Sequence, residues 1–255
     1  MTTCGLRLDE QDWQESLDAA GATPPYGFEV PVSLLESCPR FVQRFELGDL
    51  NLVNIREVLP PEQAPYLDEC SLPTRQGLVR ALAATLELGR CFGAACATVD
   101  LGLDRVRDGA GLDHRETFLA SALALPEGPV LCMQVRAPRR FPKSQEWQLA
   151  RELVKRLASP RLGIAVNVAV HDISPQPAPA ELRECFGDRL RLVRFQLDGP
   201  CPNCLESRVL LRWGDELAAW ESPPAVVLCV PRRGPEMLAS LHQGLAHTVR
   251  ALFGG

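Results

Sequence analysis

No stretch of this chain approaches the roughly 20 consecutive apolar residues that cross a bilayer, and polar residues follow Met1 where a secretory signal would carry a basic start and an apolar run. No membrane partner is expected, and the chain reads as cytoplasmic. Excess positive charge is also missing: 27 Lys and Arg stand against 32 Asp and Glu, a formal net charge of -5. Nonspecific nucleic-acid affinity rests on clustered cations, so nucleic acid is not an expected partner and a small molecule is. The chain has no internal repeat, no low-complexity tract and no linker rich enough in Pro, Gly or Ser to divide it. The Pro-rich stretch from Ser174 to Ala180 is short and reads as a loop between a strand and a helix. A disulfide framework is not needed either, because such frameworks serve short chains without a core. Of the 10 cysteines, Cys96, Cys132 and Cys229 sit singly in apolar runs, where a free thiol behaves as a small hydrophobe.

What the chain does have is 255 residues, 46% of them hydrophobic, enough for a large core. Apolar runs of strand length alternate with segments of helical period, the pattern of repeated βα units and a parallel sheet. The strands are expected at Gly5 to Leu8, Gly27 to Val32, Asn51 to Glu57, Ala94 to Gly102, Val130 to Ala137, Gly163 to His171, Leu190 to Asp198 and Ala225 to Pro231. Helices fit between them at Asp9 to Ala20, Ser33 to Arg44, Thr74 to Phe92, His114 to Leu125, Ser144 to Ala158, Ala178 to Phe186, Leu205 to Trp220 and Pro235 to Phe253. Ser33, Thr74 and Ser144 are the expected N-caps, with Pro235 in a first turn. Eight such units in about 250 residues make an α/β fold, a (β/α)8 TIM barrel, with residues 1–255 as a single domain.

Successive strand residues face opposite sides, so one set of each strand points to the barrel axis. In the seventh strand Val193, Phe195 and Leu197 suit the helix layer, which turns Arg194, Gln196 and Asp198 inward. The same parity turns in Glu29, Asn54, Arg56, Thr98, Asp100, Gln134, Arg136, Asn167 and His171. A one-residue slip of the seventh strand would put Phe195 on the axis in place of Arg194. Barrel interiors are usually filled by branched apolar side chains, so a polar column is either a self-satisfied network or a ligand pocket opening at the C-terminal strand ends. Buried charge is costly as a stabilising device, which favours the pocket. Arg136 and Arg194 would set fixed positive charge in it, and Arg139, Arg140, Lys143, Arg232 and Arg233 follow the fifth and eighth strands at the mouth. A guanidinium binds carboxylate or phosphate bidentately, so the expected ligand is a small anion. The expected binding set is Asn54, Arg56, Gln134, Arg136, Asn167, Arg194, Gln196, Asp198 and Arg232. Asp100, Glu29 or His171 would serve as general base beside a carbonyl polarised by Arg194 or Arg136.

Ser71, Leu72 and Pro73 with the long helix after them, the fourth strand from Gly93 to Gly102, and the sixth and seventh strands together resemble the xylose isomerase-like TIM barrel superfamily, which includes sugar-phosphate isomerases and epimerases. The resemblance implies isomerase or epimerase chemistry, which makes the expected anion a small anionic sugar or hydroxy-acid, at a divalent cation held by a Glu ending the fifth strand, an Asp ending the sixth, a His on the seventh and a Glu on the eighth. This chain departs at each: Gln134 or Arg136, Asn167, Arg194 (or Phe195 or Gln196 by register) and Cys229. Hard cations want anionic oxygen ligands, so no cofactor is expected and the divalent metal would bind poorly. Two other readings stay open. One is a barrel that binds its ligand without turnover. The other is a zinc enzyme built on Cys201 and Cys204 of a CxxC after the seventh strand, with His171 and Asp172, although a single CxxC lacks the second pair of a structural zinc motif.

Overall fold

The computed structural model describes residues 4–9, 11, 13–14, 26–46, 51–59, 67, 72–125, 128–136, 145–170, 178–198 and 204–229. Eight parallel strands close into a barrel in sequence order: β1 (Cys4–Arg7), β2 (Tyr26–Pro31), β3 (Leu52–Arg56), β4 (Cys96–Val99), β5 (Val130–Arg136), β6 (Leu162–Ala169), β7 (Leu190–Gln196) and β8 (Ala225–Cys229), with β8 pairing back onto β1. The α/β TIM barrel is therefore the observed fold. The described helices are α1 (Val32–Ser37), α2 (Pro39–Glu46), α3 (Leu72–Cys91), α4 (Gly109–Leu123), α5 (Gln145–Leu157), α6 (Pro179–Phe186) and α7 (Cys204–Ala218). None of the described helices is long and apolar enough to cross a membrane.

Three local expectations need correction. The helix expected from Ser33 to Arg44 is two, because Pro39 has no N–H to donate and its ring crowds the preceding turn; Ser33 accordingly lies inside α1 behind an N-cap at Pro31. Thr74 is likewise inside α3. The helix expected to begin at His114 begins at Gly109, capped by Asp108, whose side chain accepts from the Gly111 N–H at 2.8 Å. The cap outweighs two helix-weakening glycines in the first turn. Ser144, the helix expected from Pro235 to Phe253 and all but a few residues of the helix expected from Asp9 to Ala20 fall outside the described residues.

The outward strand residues, among them Val30, Ile55, Val99, Met133, Val135, Val166, Val168, Val193, Phe195 and Leu228, pack under the helices in one continuous core with Phe118, Trp147 and Trp213. Inside the barrel a smaller apolar cluster of Val53, Cys96, Cys132, Ala165, Leu192, Val227 and Cys229 forms a floor. Two register shifts shape it. Phe28 pairs with Leu52 and Glu29 with Asn54, which leaves Val53 as an extra residue in β3; Arg191 is extra in β7 in the same way. The β3 bulge lets consecutive Val53 and Asn54 both reach the interior, where strict alternation allows only one. Space for Val53 comes from glycine: a Cβ on Gly27 would lie 2.1 Å from the Val53 Cγ2, and one on Gly5 3.3 Å from it.

Candidate functional site

Two residues beyond the floor on β4 to β7, toward the C-terminal mouth, the interior turns polar. Thr98 follows Cys96, Gln134 follows Cys132, Asn167 follows Ala165 and Arg194 follows Leu192, joined by Glu29 from β2 and Asn54 from β3. Of the sequence-predicted column, Glu29, Asn54, Thr98, Gln134, Asn167 and Arg194 thus face the interior together, with Arg194 and not Phe195 on the axis. Arg194 is its hub. Its Nε donates to Glu29 Oε2 at 2.6 Å, its Nη2 to Thr98 Oγ1 at 2.5 Å, and its Nη1 to Gln134 Oε1 at 3.0 Å and Asn167 Oδ1 at 3.4 Å. Asn54 Nδ2 donates to Glu29 Oε2 at 2.7 Å and to Thr98 Oγ1 at 2.5 Å, and the Thr98 hydroxyl donates to the Ile55 carbonyl at 3.3 Å. The network ties six consecutive strands, β2 to β7. Glu29 is fully buried and Arg194 is 3% exposed.

The network is not closed. Among the described residues, Glu29 Oε1 and Asn54 Oδ1 are buried acceptors without a hydrogen-bond partner, and Arg56 Nε is a buried donor without one. Unpaired buried polar atoms carry a desolvation penalty that a bound group can relieve.

The next layer contains residues the sequence reading passed over. Arg7, at the end of β1, approaches Asp9 Oδ1 at 3.3 Å, and buried Arg56 donates to the same oxygen through Nη2 and to Glu57 through Nη1. Two guanidiniums therefore converge on one carboxylate oxygen. Burial, reinforced by repulsion from Arg7, lowers Arg56; burial also works against charged Arg7, but Asp9, helped by Glu29, more than offsets it and leaves that guanidinium raised. Glu57 has a left-handed backbone, φ 61°, unusual for a residue with a side chain. The alternation of Gly5 and Arg7 in the first strand is the signal that would have found Arg7.

Of the other expected residues, Asp100 is half-buried and accepts from the Gly102 N–H at 2.8 Å. Buried Arg115 of α4 fixes that loop by donating to the carbonyl of Leu101 at 2.7 Å. Arg136 and Gln196 end their strands exposed at the rim, and Asp198 does not join the column: β7 ends at Gln196, and Asp198 follows in an exposed bend. The Arg136 backbone is clamped, its N–H donating to Glu146 Oε1 at 3.2 Å and its carbonyl accepting from Trp147 Nε1 at 2.6 Å. Burial, with the nearby charges of Asp104 and Asp100, pushes the Glu146 carboxyl up to about 7. On β8, burial pushes the Cys229 thiol up to about 12, so it is neutral. His171, Asp172, Cys201 and Arg232 lie outside the described residues; Cys204 opens α7, its side chain also outside them.

A divalent cation of the kind the sequence resemblance implies does not fit this donor set. Its four strand positions hold two neutral amides, a neutral thiol and a guanidinium, and the amide oxygens already accept from the guanidinium. A separate groove of about 690 Å³ lies on the helix shell toward the C-terminal ends of α5 and α6, lined by Arg151, Lys155, Cys185 and Phe186 among others. Those helix ends point away from the mouth, so the groove is not this site.

No protein-family model matches the chain, and no curated protein does. Solved structures do. The D-psicose 3-epimerase of Clostridium cellulolyticum H10 superposes with a TM-score of 0.69 at 13% identity, covering 99% of this chain and 100% of its own. The 3-keto-D-glucoside 4-epimerase of E. coli gives 0.65 at 14% identity over 97% and 99%. A xylose isomerase domain protein of Alicyclobacillus acidocaldarius subsp. acidocaldarius gives 0.64 at 15% identity over 99% of both chains. The fold is that of the xylose isomerase-like TIM barrels, over the length of the chain.

Proposed function

We propose that the barrel takes a small polyhydroxylated anion, a sugar acid, sugar phosphate or hydroxy-acid, at its C-terminal mouth and isomerises or epimerises it without the divalent metal. The observation that carries this is the pattern of unpaired atoms: acceptors at Glu29 Oε1 and Asn54 Oδ1 below, and a donor at Arg56 Nε above them beside Arg7. Hydroxyl groups would satisfy the acceptors, and a carboxylate or phosphate would take the guanidinium donors left over from Asp9. Glu29 Oε1 is the base that takes the carbon-bound proton next to a carbonyl and returns it to the neighbouring carbon as the hydroxyl proton moves to the former carbonyl oxygen, which isomerises the substrate. Inversion at the same carbon would need a second group on the opposite face as the acid, and Arg194 stabilises the charge that develops. Asp100 and, outside the described residues, His171 are the other candidate bases. Arg136, Gln196, Asp198 and Arg232 would line the rim. That structures of the same fold carry the names of sugar 3- and 4-epimerases supports the sugar reading by association.

Binding without turnover is the second reading, and one observation favours it: Glu29 and Arg194 are spent on each other and sealed from solvent. A thermal-shift panel of sugar acids, sugar phosphates and hydroxy-acids identifies the ligand, and proton NMR of that ligand in D₂O with the protein then reads both the appearance of a second isomer and exchange of its carbon-bound hydrogens. Binding with either supports the isomerase. Binding with neither leaves the ligand-binding barrel, and no stabilisation by any member of the panel rejects both.

A further inference from the structure

The arrangement around Arg194 has the form of a cation site. Four oxygens from four different strands, Glu29 Oε2 (β2), Thr98 Oγ1 (β4), Gln134 Oε1 (β5) and Asn167 Oδ1 (β6), turn toward one positive group at 2.5 to 3.4 Å, and that group belongs to the chain itself. Only one of the four oxygens is formally anionic, so the cage carries a single negative charge against the single charge of a guanidinium. A divalent ion would be left under-compensated in a site closed to water. The planar fork of the guanidinium also fits oxygens spread around a ring, where an ion draws its ligands inward to about 2.0–2.6 Å.

We infer that Arg194 is a built-in cation: its guanidinium fills the barrel's cation position, excludes divalent metal from it, and is the fixed positive charge of the interior. The inference does not depend on turnover, and its tests read metal and guanidinium, not a sugar.

Two measurements decide it. Mn²⁺ binding to the untagged wild-type chain is read by calorimetry and by EPR of free Mn²⁺, with Mg²⁺ in competition. The expected result is no saturable binding and no shift in Tm; stoichiometric Mn²⁺ displaced by Mg²⁺ overturns the proposal. Arg194→Ala then empties the cage and leaves Glu29 uncompensated, which lowers Tm by roughly 10 °C. Guanidinium or methylguanidinium at millimolar, non-denaturing concentration restores part of that loss saturably and does nothing for the wild type. Arg194→Ala combined with Gln134→Glu and Asn167→Asp binds Mn²⁺ at least about tenfold more tightly than the wild type. A single variant as stable as the wild type and indifferent to guanidinium overturns the proposal, as does a triple variant that folds but gains no Mn²⁺ affinity. Where Arg194→Ala fails to fold, Arg194→Lys keeps the charge without the fork. It is expected to fold with a lowered Tm and to refuse Mn²⁺, and Mn²⁺ binding by it counts against the inference.

Discussion

Arg194 and Glu29, 165 residues apart in the chain, meet across the barrel axis with Nε donating to Oε2 at 2.6 Å, and neither side chain is more than 4% exposed. Replacing one member of such a pair leaves the other as an unpaired buried charge. Glu29→Gln is expected to cost about 3–5 kcal/mol, and Arg194→Met a similar amount, whereas Glu29→Gln with Arg194→Met costs clearly less than the sum. Urea titrations of the four proteins give the cycle. Additive losses would mean that the pair is not coupled and that other groups carry the network.

Glu146 gives a pH signature. Its carboxyl is raised from 4.5 to about 7, chiefly by burial, so the fold favours the protonated form. Its contribution to stability is then full below about pH 4.5 and is lost as pH rises through about 7. Glu146→Gln stays neutral and keeps an oxygen to accept the Arg136 N–H. The Tm of the variant minus that of the wild type should rise between pH 5 and pH 8 and level off above it. A difference that stays flat across this range shows that the carboxylate is not held out of water.

Asp9 and Arg56 should act in opposite directions on an anionic ligand. Arg56→Met removes charge-assisted hydrogen bonds worth about 1.5–3 kcal/mol, a loss of roughly tenfold to a hundredfold in affinity for a sugar acid, with little change for the neutral sugar. Asp9→Asn withdraws the carboxylate oxygen that Arg7 and Arg56 share, and tightens the anion. Calorimetry on an acid and its neutral counterpart reads both effects. Equal losses for the two ligands with Arg56→Met would place the anion elsewhere.

The fold was legible because apolar runs of strand and helix length alternate eight times, and the inward position of Glu29, Asn54, Thr98 and Arg194 followed from the two-residue period of a strand. Where that period breaks, sequence reading breaks with it. The bulge that brings Val53 inward beside Asn54 is a property of the pairing between β2 and β3, invisible in either strand alone. Asp198 was placed on the axis by extending the period two residues past the end of β7. Pro39 did announce the break between α1 and α2, but the helical period on either side of it is continuous enough to mask the signal. The rise in Glu146 comes chiefly from burial in the folded barrel, reinforced by Asp104 and Asp100 some forty residues earlier in the chain, so its own neighbours in sequence carry no trace of it.

Gly27 is the test of how the floor supports the site. A Cβ there would stand 2.1 Å from Val53 Cγ2 and 3.2 Å from the Asn51 carbonyl, and a β-branched side chain held in the barrel has no room to swing aside. Gly27→Ala is therefore expected to destabilise by about 1–3 kcal/mol through overpacking. Val53→Ala alone also destabilises, by opening a cavity, yet the two together should cost less than their sum because the shorter side chain admits the new methyl. The strain should also reach the polar layer, since Val53 precedes Asn54 and Gly27 lies two residues before Glu29, the pair joined at 2.7 Å. Ligand affinity in Gly27→Ala should accordingly fall along with Tm and recover in part when Val53→Ala is added; recovery of Tm alone would show that the floor holds up the barrel without setting the geometry of Glu29 and Asn54.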